Sequence, residues 1–286
     1  MSDATSLAAS PPAPDAGPVA GTFVRRHRLS TRLWHWANAL VIFVLLTSGL
    51  TIFNAHPMLY WGEYGANYDR AFLQIGSNAG GGFVRIGEVR LTTTGVLGRW
   101  ETAEGVTRNR AFPGWATLPT DYNLALARRW HLSFAWLFAL GTAGYLLWSL
   151  VNRHLSRDLL PARRELGPRH LWHEIRDHAR LRFPGGADAA RYNSLQKLSY
   201  VAVLLVLLPL LVLTGFTMSP ALNAAWPWLL DLFGGRQSAR SLHFIAATGI
   251  VLFVLVHLVM VVLAGPVNEI RSMITGRFRL PPERMQ

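Results

Sequence analysis

Two histidines, His243 and His257, stand fourteen residues apart in SLHFIAATGIVLFVLVHLVM (241–260), a stretch otherwise free of ionisable side chains. An α-helix advances about 100° and 1.5 Å per residue, so fourteen residues return a side chain to within about 40° of its starting direction, about 21 Å further along. One helical face therefore carries two imidazoles at two depths. Ionisable groups inside an apolar helix are costly and mark function by default, and neutral imidazole is a common axial ligand of haem iron. The spacing predicts two haems stacked across a bilayer.

The rest of the chain is consistent with a membrane. Four stretches, Leu33 to Gly62, Trp130 to Asn152, Leu198 to Leu230 and Ser241 to Asn268, contain no Asp, Glu, Lys or Arg. Each exceeds the roughly 20 residues needed to cross about 30 Å of hydrocarbon. The expected fold is all-α, a bundle of four transmembrane helices near 34–54, 128–152, 197–219 and 240–264, with a large extracytoplasmic loop containing short strands. The net charge of +12 is distributed as membrane flanks rather than as a nucleic-acid patch. Arg25, Arg26, Arg28 and Arg32 precede helix one, ten Lys or Arg fill the connection 153–197, and Arg271, Arg277, Arg279 and Arg284 mark the tail, whereas the connection between helices three and four has only Arg236 and Arg240. The positive-inside rule then places both termini in the cytoplasm of a bacterial inner-membrane protein and the loop 55–127 outside. With no cysteine in the chain, iron–sulfur clusters, thioether-linked haem, disulfides and thiolate zinc are excluded, and a redox centre must rest on histidine or methionine. Residues 1–22 are small, Pro-rich and without a signal-peptide core, and read as a disordered cytoplasmic tail. The membrane domain is expected over 23–280, with 281–286 a short C-terminal tail.

Helix one carries His35 beside Trp34 and Trp36, which suit the interfacial aromatic belt. Gly49 follows fourteen residues later on the same face, where a missing side chain admits a flat macrocycle. In the outer loop, 83–90 alternates as short strands do, Gly80–Gly82 reads as a turn, and His56 reads as structural. Asp121 is a candidate N-cap for helix two, which carries His131 next to Arg128 and Arg129. The inner connection 153–197 contains a basic amphipathic stretch with Leu171, Trp172 and Ile175 on its apolar side, suited to an anionic lipid surface. His170, His173 and His178 there imitate a metal cluster, but with no acidic or cysteine ligand arranged with them. Helix three has no histidine; it is expected to bend at Pro209 and only to pack.

Topology turns these positions into a pairing. Helix one enters from inside, so His35 is at inner depth; helices two and four enter from outside, so His131 and His243 are at outer depth and His257 is inner. The pairs are His35 with His257 and His131 with His243. A buried imidazole can also simply bridge helices by hydrogen bonds, but four in two depth-matched pairs favour bis-histidine haem, with irons roughly 20 Å apart by helix rise. Arg128, Arg129 and Arg240 outside, and Arg32 inside, are candidate partners for propionates.

RLWHWANALVIFVLLTSGL, RRWHLSFAW and SLHFIAATGIVLFVLVHLVM resemble the bacterial di-haem cytochrome b subunits (the cytochrome b-561 and nickel–iron-hydrogenase b-type group, with formate dehydrogenase and thiosulfate reductase members), over about residues 23 to 280. Within that group FNAHPMLYWGEYG, YNSLQKLSYVAVLLVLLPLLVLTGFTMSPA and GRQSARSLHF are most similar to the thiosulfate-reductase type. The resemblance implies His35, His131, His243 and His257 as ligands of two haems b, a quinone site near one haem, sought near His257 and the inner ends of helices one and three, and a periplasmic redox partner, in some relatives a molybdopterin enzyme. It implies an electron-transfer subunit between the quinone pool and that partner, with direction set by the partner. A freestanding superoxide:quinone oxidoreductase and a haemless scaffold or transporter are the alternatives. The former has no need of a loop as long as 55–127, and the latter predicts no haem absorbance.

Overall fold

The computed structural model describes residues 21–280 except 67, 154, 156, 158–159 and 181–192. Four helices long and apolar enough to cross a membrane organise it: α1 (Leu29–Phe53), α2 (Leu124–Val151), α4 (Ser194–Met218) and α7 (Arg236–Ala264). Their bounds lie within a few residues of those expected from the charge-free runs. Between them come α3 (Pro168–Ala179), α5 (Pro220–Ala225) and α6 (Trp228–Leu232), and α8 (Pro266–Thr275) follows. α1 packs along α2, and α4 along α7. Between these two pairs the cross-contact is an aliphatic layer of Phe138, Leu208 and Ile250 with Val41, Ile42, Leu45, Leu207, Leu211 and Val254 around them.

Local chemistry sets the helix ends. The α2 N-cap is Asn123, whose side chain accepts from Leu126 N at 2.9 Å, rather than Asp121, which lies two residues too early to reach the first free amides. α4 opens with a capping box in which Asn193 accepts from Gln196 N and Gln196 from Asn193 N. Ahead of Pro209, α4 widens into a π-helical segment over Ala202–Leu207. A proline lacks the amide and crowds the carbonyl of the preceding turn, and the wider turn accommodates both defects.

Two small β structures mark the ends of the bundle. At one end the sheet β2 (Met58–Leu59), β3 (Leu73–Asn78), β4 (Gly81–Ile86) and β5 (Val89–Thr92) is antiparallel in that order, and β6 (Trp100–Glu101) pairs with β7 (Thr107–Arg108). The alternating stretch 83–90 spans two short strands. Gly87 and Glu88 form their turn, and Gly81 and Gly82 belong to β4, so the tighter turn is at Ala79–Gly80. Phe53, Leu59, Ile75 and Ala111 form the core beneath this sheet, with Phe244 of α7 packed against it. At the other end β1 (Phe23–Arg25) pairs with β8 (Arg277–Arg279). Gly21 N donates to Leu280 O and Leu280 N to Thr22 O, so this pairing takes in Gly21 and Thr22 of the expected tail; the remainder of that tail, and 281–286, lie outside the described residues. We call these the sheet end and the termini end.

The amphipathic helix is α3, with Trp172 and Ile175 exposed. Glu174 accepts from the amides of Ser194 and Leu195, and Lys197 pairs with Glu165 at 3.0 Å. α3 is thereby fixed to the termini-end start of α4.

Candidate functional site

The four membrane histidines meet in two layers. At the termini end the ring centroids of His35 and His257 are 6.2 Å apart with planes inclined by 57°. At the sheet end those of His131 and His243 are 6.4 Å apart, inclined by 62°. Both pairs are the ones expected from depth. The aliphatic layer separates them, because Ile250 is midway between His243 and His257, and Phe138 lies seven residues past His131.

Whether a haem suits this arrangement can be judged from the rings themselves. Two imidazole nitrogens on opposite sides of one iron, each roughly 2.0 Å from it and about 1.1 Å from its ring centre, put the centroids about 6.2 Å apart. Both observed separations match. The helices carrying facing histidines, α1 or α2 with α7, make only marginal backbone contact with each other. Beside the sheet-end rings the packing helices present glycine: a Cβ on Gly49 would stand 3.3 Å from His131 Cε1, and one on Gly215 3.6 Å from His243 Cε1. The residues present therefore fit a bis-histidine haem at each level.

The sheet-end pair is also held from behind. His131 Nδ1 is 3.1 Å from both Leu45 O and Ser48 Oγ, and His243 Nδ1 is 3.0 Å from Thr214 Oγ1. Ser48 and Thr214 are completely buried. The sequence reading missed all three of Ser48, Thr214 and Gly215, and it assigned helix three to packing alone. Helix three in fact delivers Thr214 and Gly215 against His243. The available signal was a hydroxyl followed by glycine, Ser48–Gly49 and Thr214–Gly215, interrupting two aliphatic runs.

At the termini end aromatic rings replace these hydrogen bonds. Trp36 meets His35 edge-on with centroids 5.1 Å apart, and Phe253 stacks on His257 at 5.9 Å and 14°. Among the described residues His35 Nδ1 is buried without a hydrogen-bond partner. Trp34 stacks on Tyr145 of α2 at 5.0 Å and 4°, and Trp36 Nε1 donates to Met273 O of α8 at 3.2 Å.

The arginines divide. Arg128 and Arg129 are exposed at the start of α2, the level of the sheet-end pair. Arg240 instead straps the sheet domain to α7, donating to Met58 O at 2.6 Å and to His56 O, with its guanidinium over Phe53. Ser241 Oγ donates to Tyr60 O and Gly62 N to Ser238 Oγ, and Asn54 exchanges two hydrogen bonds with Phe112. Two of Arg240's terminal nitrogens thus serve the loop rather than a propionate. Arg32 donates to Ile274 O at the end of α8. His56 stacks on Tyr60, and burial first, then Arg240, keeps it below the usual imidazole pKa. On α3, acids do accompany two of the three histidines, contrary to expectation: Glu174 is 3.2 Å from His170 and Asp177 3.4 Å from His173. These are i,i+4 pairs on one helix face, and among the described residues no group of three or more His, Asp or Glu forms a metal cage.

A family model described as prokaryotic cytochrome b561 matches residues 26–276. The chain is 30% identical to a putative protein-methionine-sulfoxide reductase subunit YedZ1 of Azospira oryzae over 48% of this chain and 65% of that one, just under two thirds of the relative's length. It is 24% identical to a probable Ni/Fe-hydrogenase B-type cytochrome subunit of Cupriavidus necator over 90% of this chain and 87% of that one. A protein described in the same words from Azotobacter vinelandii is 26% identical over 51% of this chain and 68% of its own length.

Proposed function

This chain belongs to the prokaryotic cytochrome b561 family, and on that premise we propose that it is a membrane electron-transfer subunit carrying two b-type haems, one on His35 and His257 and one on His131 and His243. The observation that carries the reading is the pair of imidazole separations, 6.2 and 6.4 Å, on opposite sides of one aliphatic layer. Haem bound at these rings supplies reversible one-electron ferric–ferrous chemistry.

The chain's own residues do the rest. α7 contributes one imidazole to each level and so fixes the spacing of the two centres, about 21 Å by helix rise. Phe138, Leu208 and Ile250 exclude water from the layer between them, which confines charge movement to the electron itself. The arginine-rich termini end is assigned to the cytoplasm by the positive-inside rule, and the sheet end to the periplasm.

Two partners complete the path in this reading. A quinone would exchange electrons near His257, where α8 and the termini-end turns of α1 and α4 meet the membrane surface. A periplasmic redox subunit, in our reading a molybdopterin enzyme, would dock on the sheet end. The Azospira relative is described as a subunit of a methionine-sulfoxide reductase and the Cupriavidus relative as a subunit of a hydrogenase, which supports a partner enzyme as the seat of substrate chemistry. The sheet supports it too: β5 is an outer strand whose Val89 and Leu91 are exposed, and a freestanding superoxide:quinone oxidoreductase has no use for such a platform. The test is haem content. Purified chain is expected to bind two haems with bis-imidazole spectra, and His257→Ala to retain about one; a wild-type chain without haem, or His257→Ala with two, refutes the reading.

A further inference from the structure

The backs of the two sheet-end histidines are built alike on two different helices. Ser48 donates its hydroxyl proton to Val44 O at 2.5 Å, and Thr214 donates its own to Leu210 O at 2.5 Å. In each case the oxygen's lone pairs are left facing an imidazole Nδ1, at 3.1 Å in His131 and 3.0 Å in His243. A carbonyl stands beside the first of these hydroxyls: Leu45 O lies 3.1 Å from His131 Nδ1. A carbonyl oxygen can only accept, and each hydroxyl has already given its proton to a helix carbonyl, so the Nδ1 of both rings must carry the proton. The free lone pair of each neutral ring is then on Nε2, the nitrogen left for a metal. Each hydroxyl is followed by a glycine, Gly49 or Gly215, against which the ring lies.

We propose that Ser48 and Thr214 are positioning residues for the sheet-end haem: they fix the tautomer and the ring plane of His131 and His243 and raise the electron donation of both imidazoles, a control that His35 of the termini-end pair lacks among the described residues. The inference rests on the two-haem reading above. An acceptor on Nδ1–H gives the imidazole partial imidazolate character, which favours ferric over ferrous iron. Removing an acceptor therefore raises the midpoint potential of the haem it serves. Among the described residues the termini-end pair has no equivalent on helix one, where His35 Nδ1 is buried without a hydrogen-bond partner.

The experiment is a redox titration of the purified chain, followed by the haem α-bands, together with low-temperature EPR of the ferric state. It compares wild type with Ser48→Ala, Thr214→Val and Thr214→Ser. Thr214→Val keeps the volume and removes the oxygen, and Thr214→Ser keeps the oxygen. We expect Thr214→Val and Ser48→Ala each to weaken the ferric preference of one haem by about tenfold, an upward shift of about 59 mV in a one-electron couple, while the other haem does not move. Thr214→Ser should titrate as wild type. If Thr214→Val loses one haem and Thr214→Ser keeps both, the hydroxyl is likewise required and the proposal stands. Two haems with unaltered potentials and EPR in Thr214→Val, equal shifts of both haems, or loss of haem from Thr214→Ser as well overturn it. A wild-type chain without bis-imidazole haem overturns the functional reading itself, a result separable from all of these.

Discussion

The two histidine layers have nearly the same ring separation, 6.4 and 6.2 Å, yet the protein secures them by different means. At the sheet end, hydrogen bonds donated to buried hydroxyl oxygens, and at His131 also to the Leu45 carbonyl, decide which nitrogen carries the proton, and glycines bring the rings close to the helices behind them. At the termini end, Trp36 and Phe253 hold the rings by stacking and edge contact, which constrain the plane but are indifferent to the tautomer. The sheet end is also roofed by a folded domain strapped down through Arg240, Ser238 and Ser241, whereas the opposite surface has a short two-stranded ladder and amphipathic helices. In the proposed reading, the first layer gives its haem a fixed electronic environment and the second gives its haem access from the membrane surface.

The most severe way to break this comparison is to remove one ligand from each layer. His131→Ala is expected to abolish the sheet-end haem and leave the termini-end haem in place, and His35→Ala to do the reverse. Each variant should hold about one haem, and the two residual reduced-minus-oxidised spectra should add up to that of wild type. Residual spectra that are identical would mean that the two histidines serve one centre.

Filling the glycine cradles comes next. A Cβ at Gly49 already stands 3.3 Å from the His131 ring, tighter than ordinary contact, so Gly49→Ala should displace the ring slightly and shift only the sheet-end spectrum. Gly49→Leu adds a branched side chain where a buried aromatic face must fit, and overpacking of this kind costs about 1–3 kcal/mol. It should lower sheet-end haem occupancy severalfold while termini-end occupancy is unchanged. Haem stoichiometry resolved by EPR signal decides it, and equal loss at both levels would show that Gly49 serves general helix packing.

These effects bear on what a sequence can disclose. Helix number, depth and the two pairings were legible because they depend on one-dimensional quantities: runs without charge, fourteen-residue spacings, and the direction in which each helix crosses. What stood out of reach depends on lateral neighbours. Thr214 lies on a helix without a histidine, and nothing in its own segment reveals that α7 brings His243 to it. Arg240 read as an anion partner because it flanks His243, but the loop from Asn54 to Gly62 folds back and presents the carbonyls of His56 and Met58 to it. The β1–β8 ladder joins the two ends of the described chain, and strands of three residues leave no alternation to detect. Asp121 and Asn123 are both competent caps, and only the backbone path chooses between them.

At the aromatic layer the expected effects are smaller. Phe253→Leu removes the ring stacked on His257 but keeps apolar volume, and the stack is worth about 0.5–1.5 kcal/mol beyond its burial. Both haems should be retained, with the termini-end ferric EPR signal shifted and broadened as the His257 plane is released. The sheet-end signal should be unchanged. A shift of similar size at both levels would remove the distinction between the two modes of support.

The smallest effect is one of pH, at the edge of the termini-end layer. His27 is buried between β1 and α1, and burial first, then the Arg26 guanidinium, lowers its pKa to about 4 from 6.5. In the unfolded chain His27 binds a proton as the pH falls below 6.5, while in the folded protein it stays neutral until about pH 4. The unfolded state therefore takes up more protons in that window, and stability must fall as the pH drops from 6.5 toward 4, with no contribution from His27 above it. His27→Gln, which cannot charge, should lose less stability than wild type over that interval and match its pH dependence above it. Carboxylates titrate in the lower part of the same window, so the measurement is the difference in Tm between variant and wild type at each pH, in one detergent and at one ionic strength. A difference that is constant from pH 7.5 to 4.5 would show that His27 takes up its proton in the folded protein as readily as in the unfolded chain, and that the termini-end corner tolerates a cation.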